Sequence, residues 1–189
     1  RLAAANGWAA LGFDARGHGG SEGAMSAQAV DDVVAMAELL AGHDGVYRGR
    51  VAVRGSSLGG FLAIHAAALS PRVAGVIAIC PASAEGLARG LRQGRFEMRV
   101  EDPLTLEAWL DRADLREAVT RLRRQPLVLL HAEGDEQVPA ELSGELYELA
   151  PPPRKLILVP GGDHRSVQHD SELQSVALLW LERELARRP

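Results

Sequence analysis

Residues 55–59 read Gly-Ser-Ser-Leu-Gly, a G-x-S-x-G segment that lies between two stretches of different pattern. The preceding residues 50–54 are typical of a short buried strand. The following residues 58–69 are rich in alanine and glycine and predict a helix that packs closely against a sheet. A tight strand-to-helix turn needs small residues on both sides of its central position, which here is Ser57. We therefore predict that Ser57 stands at the edge of a sheet with its hydroxyl exposed.

The same alternation of apolar runs and helical patterns continues along the chain and indicates a parallel sheet with helices on both faces. Residues 1–6 resemble the end of a helix, and Gly7 would terminate it. Further strands are predicted at 8–13, 73–80, 127–131 and 156–159, and further helices at 24–41 and from about residue 170 onward. Ser171 and Gln174 have the spacing of a capping box for this last helix.

Residues 82–125 interrupt the alternation, because glycines and arginines punctuate them and no strand pattern occurs there. We predict one α/β domain over residues 1–189, with residues 82–125 as an insertion on the rim of its sheet. Four arginines in the first part of this insertion have near-helical spacing and could bind a carboxylate or phosphate group, or form a solvated face. They are Arg89, Arg92, Arg95 and Arg99.

Composition and charge exclude several classes of protein. The 189 residues carry 21 basic and 25 acidic side chains, a formal net charge of −4, so we expect neither nucleic acid nor a membrane as a partner. The longest apolar run, residues 73–80, is far shorter than the roughly 18 residues of a membrane helix, and no signal peptide is visible. Cys80 is the only cysteine, which excludes an internal disulfide and fits a cytoplasmic location.

Two further residues complete a catalytic hypothesis for Ser57. A serine hydroxyl needs an adjacent base that an acid orients, and for this kind of turn the chain order is Ser, Asp or Glu, then His. Asp135 follows the predicted strand at 127–131, and His164 follows the one at 156–159. Because the carboxyl ends of parallel strands line one crevice, we expect Ser57, Asp135 and His164 to form a catalytic triad.

Neighbouring residues compete for these roles. Ser56 precedes Ser57 but lacks its pattern of flanking glycines, and His169 competes with His164, although its place just before a helix is more typical of a surface or capping residue. Loop carboxylates also compete with the predicted acid, although such charges are more often solvated. They are Glu133, Glu136 and Asp163.

The remaining site predictions concern charge stabilisation, substrate and cofactors. The backbone N–H of Leu58 would face the reacting carbonyl oxygen from a helix N-terminus, where an oxyanion is favoured. The candidate substrate contacts are His18, His131, Arg89 and Arg92. No metal-ligand spacing, phosphate loop or dinucleotide fingerprint occurs, so we expect neither a metal nor a cofactor.

Five segments together resemble the α/β-hydrolase superfamily. They are Gly7-Trp8, the D-A-R-G-H-G-G-S run at 14–21, the turn at 55–59, the Asp135 loop and Gly162-Asp163-His164. More narrowly, the chain resembles bacterial esterases and serine-aminopeptidase-like members with a small cap. The resemblance implies an α/β-hydrolase-type sheet, a cap at 82–125, and a serine hydrolase that cleaves a small carboxylic ester. A peptidase, thioesterase or acyltransferase would use the same triad, and a non-catalytic binding module is a further alternative.

The resemblance also places residues 8–13 at the fourth strand of an eight-stranded sheet and Ser57 after the fifth. The resemblance implies that the strand between these two in space, and the loop that gives a second oxyanion N–H, would come earlier in the sequence than Arg1. We therefore expect roughly 70–90 further residues upstream, from the usual lengths of strands and helices.

Overall fold

A computed structural model describes residues 2–187, the side chain of Leu2 excepted. The strands are β1 (Ala52–Ser56), β2 (Gly75–Ile79), β3 (Leu127–Ala132) and β4 (Arg154–Val159). The helices are α1 (Leu2–Ala5), α2 (Ala29–Ala41), α3 (Leu58–Leu69), α4 (Ala84–Arg92), α5 (Pro103–Leu110), α6 (Leu115–Thr120), α7 (Ala140–Leu149), α8 (Ser166–His169) and α9 (Ser171–Ala186), with a 3-10 turn at Arg48–Arg50. None of these helices is both long enough and apolar enough to cross a membrane.

The four strands form one parallel sheet in the order β1-β2-β3-β4. Every residue of β2 and β3 is buried, which explains why both strands appear in the sequence as continuous apolar runs. Ser56 pairs with Ile79, and Ala132 pairs with Val159, so the strands end at one common edge. The prediction of a parallel sheet that brings its carboxyl ends together is confirmed.

Helices cover both faces of the sheet, as predicted. Val76 and Ala78 of β2 belong to the apolar cluster that includes α2, α3 and α6. Ile77 and Ile79 belong to the opposite cluster, which includes the buried face of α9. Successive side chains of a strand point to opposite faces, so β2 contributes to both apolar layers.

The predicted strand at 8–13 is wrong. Residues 8–13 carry no strand pairing, and residues 8–12 face Ala52, Val53 and Arg54 of β1 across a cleft of about 700 Å³. Paired strands lie about 4.8 Å apart, which leaves no room for such a cleft between them. Within this segment Trp8 packs against the second cluster, whereas Leu11 and Phe13 are exposed.

The start of one helix and the N-terminal cap of another also differ from expectation. The helix predicted from residue 24 begins at Ala29, after a turn. α9 begins where predicted, but its cap is Asp170, whose Oδ1 accepts the N–H groups of Glu172 and Leu173 at 2.9 and 3.0 Å. The predicted partner in a capping box, Gln174, is buried and bonds other segments instead.

Candidate active site

Ser57 is the single residue between β1 and α3, and its backbone is strained. Its φ of 53° and ψ of −118° are sparsely populated for a residue with a side chain. Its N–H donates to the carbonyl of Ile79 at 2.9 Å, and its carbonyl accepts the N–H of Ala82 at 3.2 Å. These bonds to the end of β2 hold the turn in this conformation.

The two glycines of the turn have different roles. A Cβ at Gly55 would lie 2.1 Å from the carbonyl oxygen of Gly59, so no side chain fits there. A Cβ at Gly59 would meet nothing within 4 Å. The sequence predicts that both positions need a small residue, because a side chain at either one would collide with the turn. The structure shows instead that Gly55 alone needs to lack a side chain, because the backbone of Gly59 passes against it.

The N–H of Leu58 lies at the start of the twelve-residue helix α3. Within residues 2–187 it has no hydrogen-bond acceptor. The first N–H groups of a helix lack intrahelical partners and carry the positive end of its dipole. Leu58 therefore presents a free donor next to Ser57, as the prediction of an oxyanion donor requires.

Asp135 and His164 form a buried acid–base pair. Nδ1 of His164 lies 2.6 Å from Oδ2 of Asp135, and the side chains are 10% and 0% exposed. A carboxylate can only accept, so Nδ1 carries the proton and Nε2 is left with its lone pair. This tautomer is the one a general base needs.

Asp135 is held in its ionised form by several donors. Its Oδ1 accepts the N–H groups of Gln137 and Val138 at 2.8 and 2.9 Å. Burial opposes ionisation, but the N–H of Val138, the ring of His164 and the N–H of Gln137 outweigh it, so the pKa of Asp135 is lowered. The sequence analysis did not identify these two backbone donors. An Asp followed by a tight turn is the signal that could have indicated them.

The loops that carry Asp135 and His164 are joined through their backbones. The N–H of Glu133 donates to Val159 at 2.9 Å, and that of Gly134 donates to Gly161 at 3.1 Å. A Cβ at Gly134 would lie 2.4 Å from the carbonyl oxygen of Gly162. The close approach of these loops therefore sets the separation between acid and base.

The competing residues have other positions. Asp163 is exposed, and its Oδ1 accepts the N–H groups of Arg165 and Ser166, which lower its pKa. Its contacts shape the turn after β4. Glu133 and Glu136 are exposed. His169 borders the cleft beside β1 rather than the one that contains Ser57.

Ser57 and His164 line one open cleft of about 950 Å³. One wall comes from α4 and the residues after it, and the other comes from the loops after β3 and β4. Apolar side chains in its lining are Leu87, Phe96 and Val138, and charged ones are Arg89, Arg95, Glu136 and Arg165. The cleft can accommodate a small substrate over the serine.

Three of the four predicted substrate contacts do not line the cleft that contains Ser57. They are His18, His131 and Arg92. His131 is fully buried, so it cannot reach a substrate. Nδ1 of its ring accepts from Ser143 at 2.7 Å, and Nε2 donates to the carbonyl of Val138 at 3.0 Å and lies 3.4 Å from Oδ2 of Asp135. Burial lowers the pKa of His131, which keeps the ring neutral. His131 therefore supports the Asp135 loop.

His18 and Arg92 do not line the cleft of Ser57. The ring of His18 donates to the carbonyl of Arg16 at 3.2 Å, within a turn that Arg16 ties to Asp32 by two bonds of 2.6 and 2.8 Å. The segment at 14–21 is thus architectural. Arg92 forms an ion pair with Glu107 of α5, whereas Arg89 does line the cleft.

Cys80 lies beside the acid–base pair, and its Sγ is within 4.8 Å of ligand atoms of Asp135 and His164. Burial raises the pKa of Cys80 to about 12, so its thiol is protonated. The ring and carboxylate atoms of the other two residues already bond each other. The three side chains fit an acid–base pair with an inert thiol beside it better than a metal centre.

Comparison with known sequences identifies relatives of this chain. The sequence model of a family described as "Serine aminopeptidase, S33" matches residues 2–125, which include Ser57 and end before Asp135. The uncharacterized protein Rv2307c of Mycobacterium tuberculosis is 30% identical over 165 residues, which make up 84% of this chain and 53% of that protein. The chain therefore spans about half the length of this curated relative.

Solved structures with the same fold include esterases and lipases. Est1E from Butyrivibrio proteoclasticus, solved with ferulic acid bound, superposes with a TM-score of 0.69 at 22% sequence identity. The superposed residues make up 92% of this chain and 76% of the Est1E chain. A monoacylglycerol lipase from Paleococcus ferrophilus superposes with a TM-score of 0.68 at 20% sequence identity. The superposed residues make up 99% of this chain and 88% of the lipase chain. At these identities the likeness shows the fold alone.

Proposed function

The chain belongs to the serine aminopeptidase S33 family of α/β hydrolases, and we propose that it is a serine hydrolase that cleaves a small carboxylic ester. Ser57 is the nucleophile, His164 the general base and acid, and Asp135 the residue that orients the imidazole. The N–H of Leu58 is an oxyanion donor. The observation that carries the proposal is the 2.6 Å bond between His164 and Asp135 at a cleft that also contains Ser57.

The proposed reaction proceeds in two acyl transfers. Oγ of Ser57 attacks the ester carbonyl while Nε2 of His164 takes the hydroxyl proton, and the oxyanion forms next to the N–H of Leu58. The proton then passes to the leaving alcohol, and the acyl group remains on Ser57. A water, deprotonated by the same imidazole, then attacks the acyl carbonyl, the bond between the acyl carbon and Oγ of Ser57 breaks, and His164 returns its proton to Oγ as the carboxylic acid leaves. Asp135 stabilises the imidazolium in both halves without taking its proton.

Labelling with a fluorophosphonate probe tests the nucleophile. We expect Ser57→Ala to abolish labelling and hydrolysis of p-nitrophenyl butyrate. Ser56→Ala is the matched control, because Oγ of Ser56 is buried and has no partner within residues 2–187. Persistent labelling of Ser57→Ala, or its loss in Ser56→Ala alone, would contradict the assignment.

A peptidase is the second candidate, because the matching family is described by a serine aminopeptidase activity. The same triad would cleave an amide if the leaving amine were protonated by His164. A panel of p-nitrophenyl esters of increasing length, aminoacyl anilides and acyl-CoA thioesters distinguishes esterase, peptidase and thioesterase. An esterase requires the highest kcat/KM for one of the oxygen esters.

We also propose that the enzyme is a cytoplasmic, bacterial hydrolase that acts on a small-molecule acyl substrate without a cofactor. The single cysteine, Cys80, is buried and supports a reducing compartment. Residues 82–125 are proposed as a cap, because α4 contributes one wall of the cleft.

A further inference from the structure

Four arginines of the insertion fall into two pairs with different surroundings. Arg92 forms an ion pair with Glu107, and Arg99 donates to the carbonyl of Ser21. The side chains of Arg89 and Arg95 have neither a hydrogen bond nor an ion-pair partner within residues 2–187. Both of these unpaired arginines line the cleft that contains Ser57 and His164.

The end of α4 explains how two arginines six residues apart reach one cleft. The helix ends at Arg92, and Gly94 takes a φ of +62°, which reverses the chain. The N–H of Arg95 then donates to the carbonyl of Gly90 at 3.0 Å. Phe96 packs directly on Gly90, where a Cβ would lie 2.4 Å from its ring. The reversal returns Arg95 to the side of the helix that carries Arg89.

The opposite wall adds a third cation. Arg165 follows His164 in the chain and lines the same cleft, and its side chain has no partner within the described residues. Glu136 is the carboxylate on the lining that opposes these charges. Three guanidinium groups against one exposed carboxylate give the cleft a positive field, although the protein as a whole carries a net charge of −4.

We propose that the substrate of this site is an ester that carries an anionic group, a carboxylate or a phosphate, and that Arg89 and Arg95 bind this group. The proposal rests on the proposed function, because it specifies the ester that Ser57 attacks. A guanidinium presents paired N–H donors that match both anions. Leu87, Phe96 and Val138 would contact the apolar chain between the anion and the ester.

Matched substrates of equal chain length test this inference. The charged series is the mono-p-nitrophenyl esters of succinate, glutarate and adipate. The neutral series is p-nitrophenyl butyrate, pentanoate and hexanoate, which have the same number of acyl carbons and a terminal methyl group. We expect a higher kcat/KM for the charged member of at least one pair at low salt, and a smaller advantage at 0.5 M salt.

Arginine variants then locate the contact. We expect Arg89→Gln and Arg95→Gln each to lower the charged-to-neutral ratio of kcat/KM about fivefold, and the double variant to lower it about 20-fold. Arg92→Gln is the control, since it removes the same charge from the same helix but breaks a pair with Glu107. A ratio that the double variant leaves unchanged, or that Arg92→Gln lowers equally, would overturn the proposal.

A binding measurement keeps the two proposals separable. If Ser57→Ala still hydrolyses both series, the proposed function fails. Calorimetric titration of the protein with adipate and, separately, with inorganic phosphate then tests the cleft without catalysis. Binding that is lost in the double variant supports the inference and identifies which anion is preferred. The absence of binding of either anion, together with equal kcat/KM for both series, would exclude it.

Discussion

The floor and the rim of the cleft are built on different principles. The floor, which we define as Ser57, Asp135, His164 and His131, is fixed by strained backbone and short hydrogen bonds between buried groups. The rim, which comprises Arg89, Arg95, Arg165 and Phe96, consists of exposed side chains, and its three arginines have no partner within residues 2–187. Under the proposed function, the chemistry would depend on positions that tolerate little change. Selection of the substrate would depend on exposed side chains that can be replaced without disturbing the fold.

The largest effect is expected where the floor loses its acid. Asp135→Asn would present an amide to Nδ1 of His164 and favour the wrong tautomer, so we expect kcat to fall about 10⁴-fold. Asp163→Asn is the control, because Asp163 neighbours His164 in the chain but is exposed. We expect it to change kcat less than tenfold. Steady-state kinetics with p-nitrophenyl butyrate measure both, and equal losses would contradict the assignment of the acid.

A smaller loss of kcat is expected from forcing apart the two loops that carry Asp135 and His164. The Cβ of Gly134→Ala would lie 2.4 Å from the carbonyl of Gly162, so the loops of Asp135 and His164 must separate. A misplacement of about 1 Å costs about 10²-fold in rate. Gly144→Ala is the matched control in α7, where the added methyl meets nothing within 4 Å. It should add about 0.5–1 kcal/mol of stability at unchanged kcat.

Circular dichroism and urea unfolding distinguish this geometric effect from loss of the fold. A folded Gly134→Ala protein with full kcat would show that the contact between the loops does not set the position of the pair.

The smallest effect is expected on stability when the pH is lowered, which protonates groups of the floor and leaves the arginines of the rim charged. Burial lowers the pKa of His131, so the unfolded chain binds a proton near pH 6.5 that the folded protein takes up only at lower pH. The free energy of unfolding should therefore be constant above about pH 7.5 and fall below pH 6.5, by at most about 2 kcal/mol at pH 5 from this residue. Asp135, whose pKa is also lowered, adds a further loss only below about pH 4.

Urea midpoints between pH 8 and pH 5 measure this dependence. His131→Asn should be less stable at pH 8 but show a shallower decline, and the remaining slope would include His65, whose pKa burial also lowers. A slope that His131→Asn does not reduce would show that His131 is not the group that titrates.

The sequence analysis located the floor better than the rim. Ser57 and the strands around it follow from local patterns, because a strand-to-helix turn imposes its own requirement for glycine at position 55. The near-helical spacing of the four arginines did not predict which of them line the cleft, since α4 ends at Arg92 and the chain reverses at Gly94. This reversal separates Arg89 and Arg95 from the paired Arg92 and Arg99. The strand predicted at 8–13 failed because an apolar pattern does not reveal whether a pairing strand lies beside it.

The sequence by itself determined the alternation of strands and helices, the turn at Ser57, and the chain order in which Ser57, Asp135 and His164 follow the ends of their strands. Each of these depends on residues close together in the chain, whose conformational preferences are local. Only the tertiary structure decided that His164 meets Asp135 at 2.6 Å, that His131 is buried behind them, and that Arg89 and Arg95 face the cleft. These features depend on distances between segments far apart in sequence, which the packing of the sheet and its helices sets.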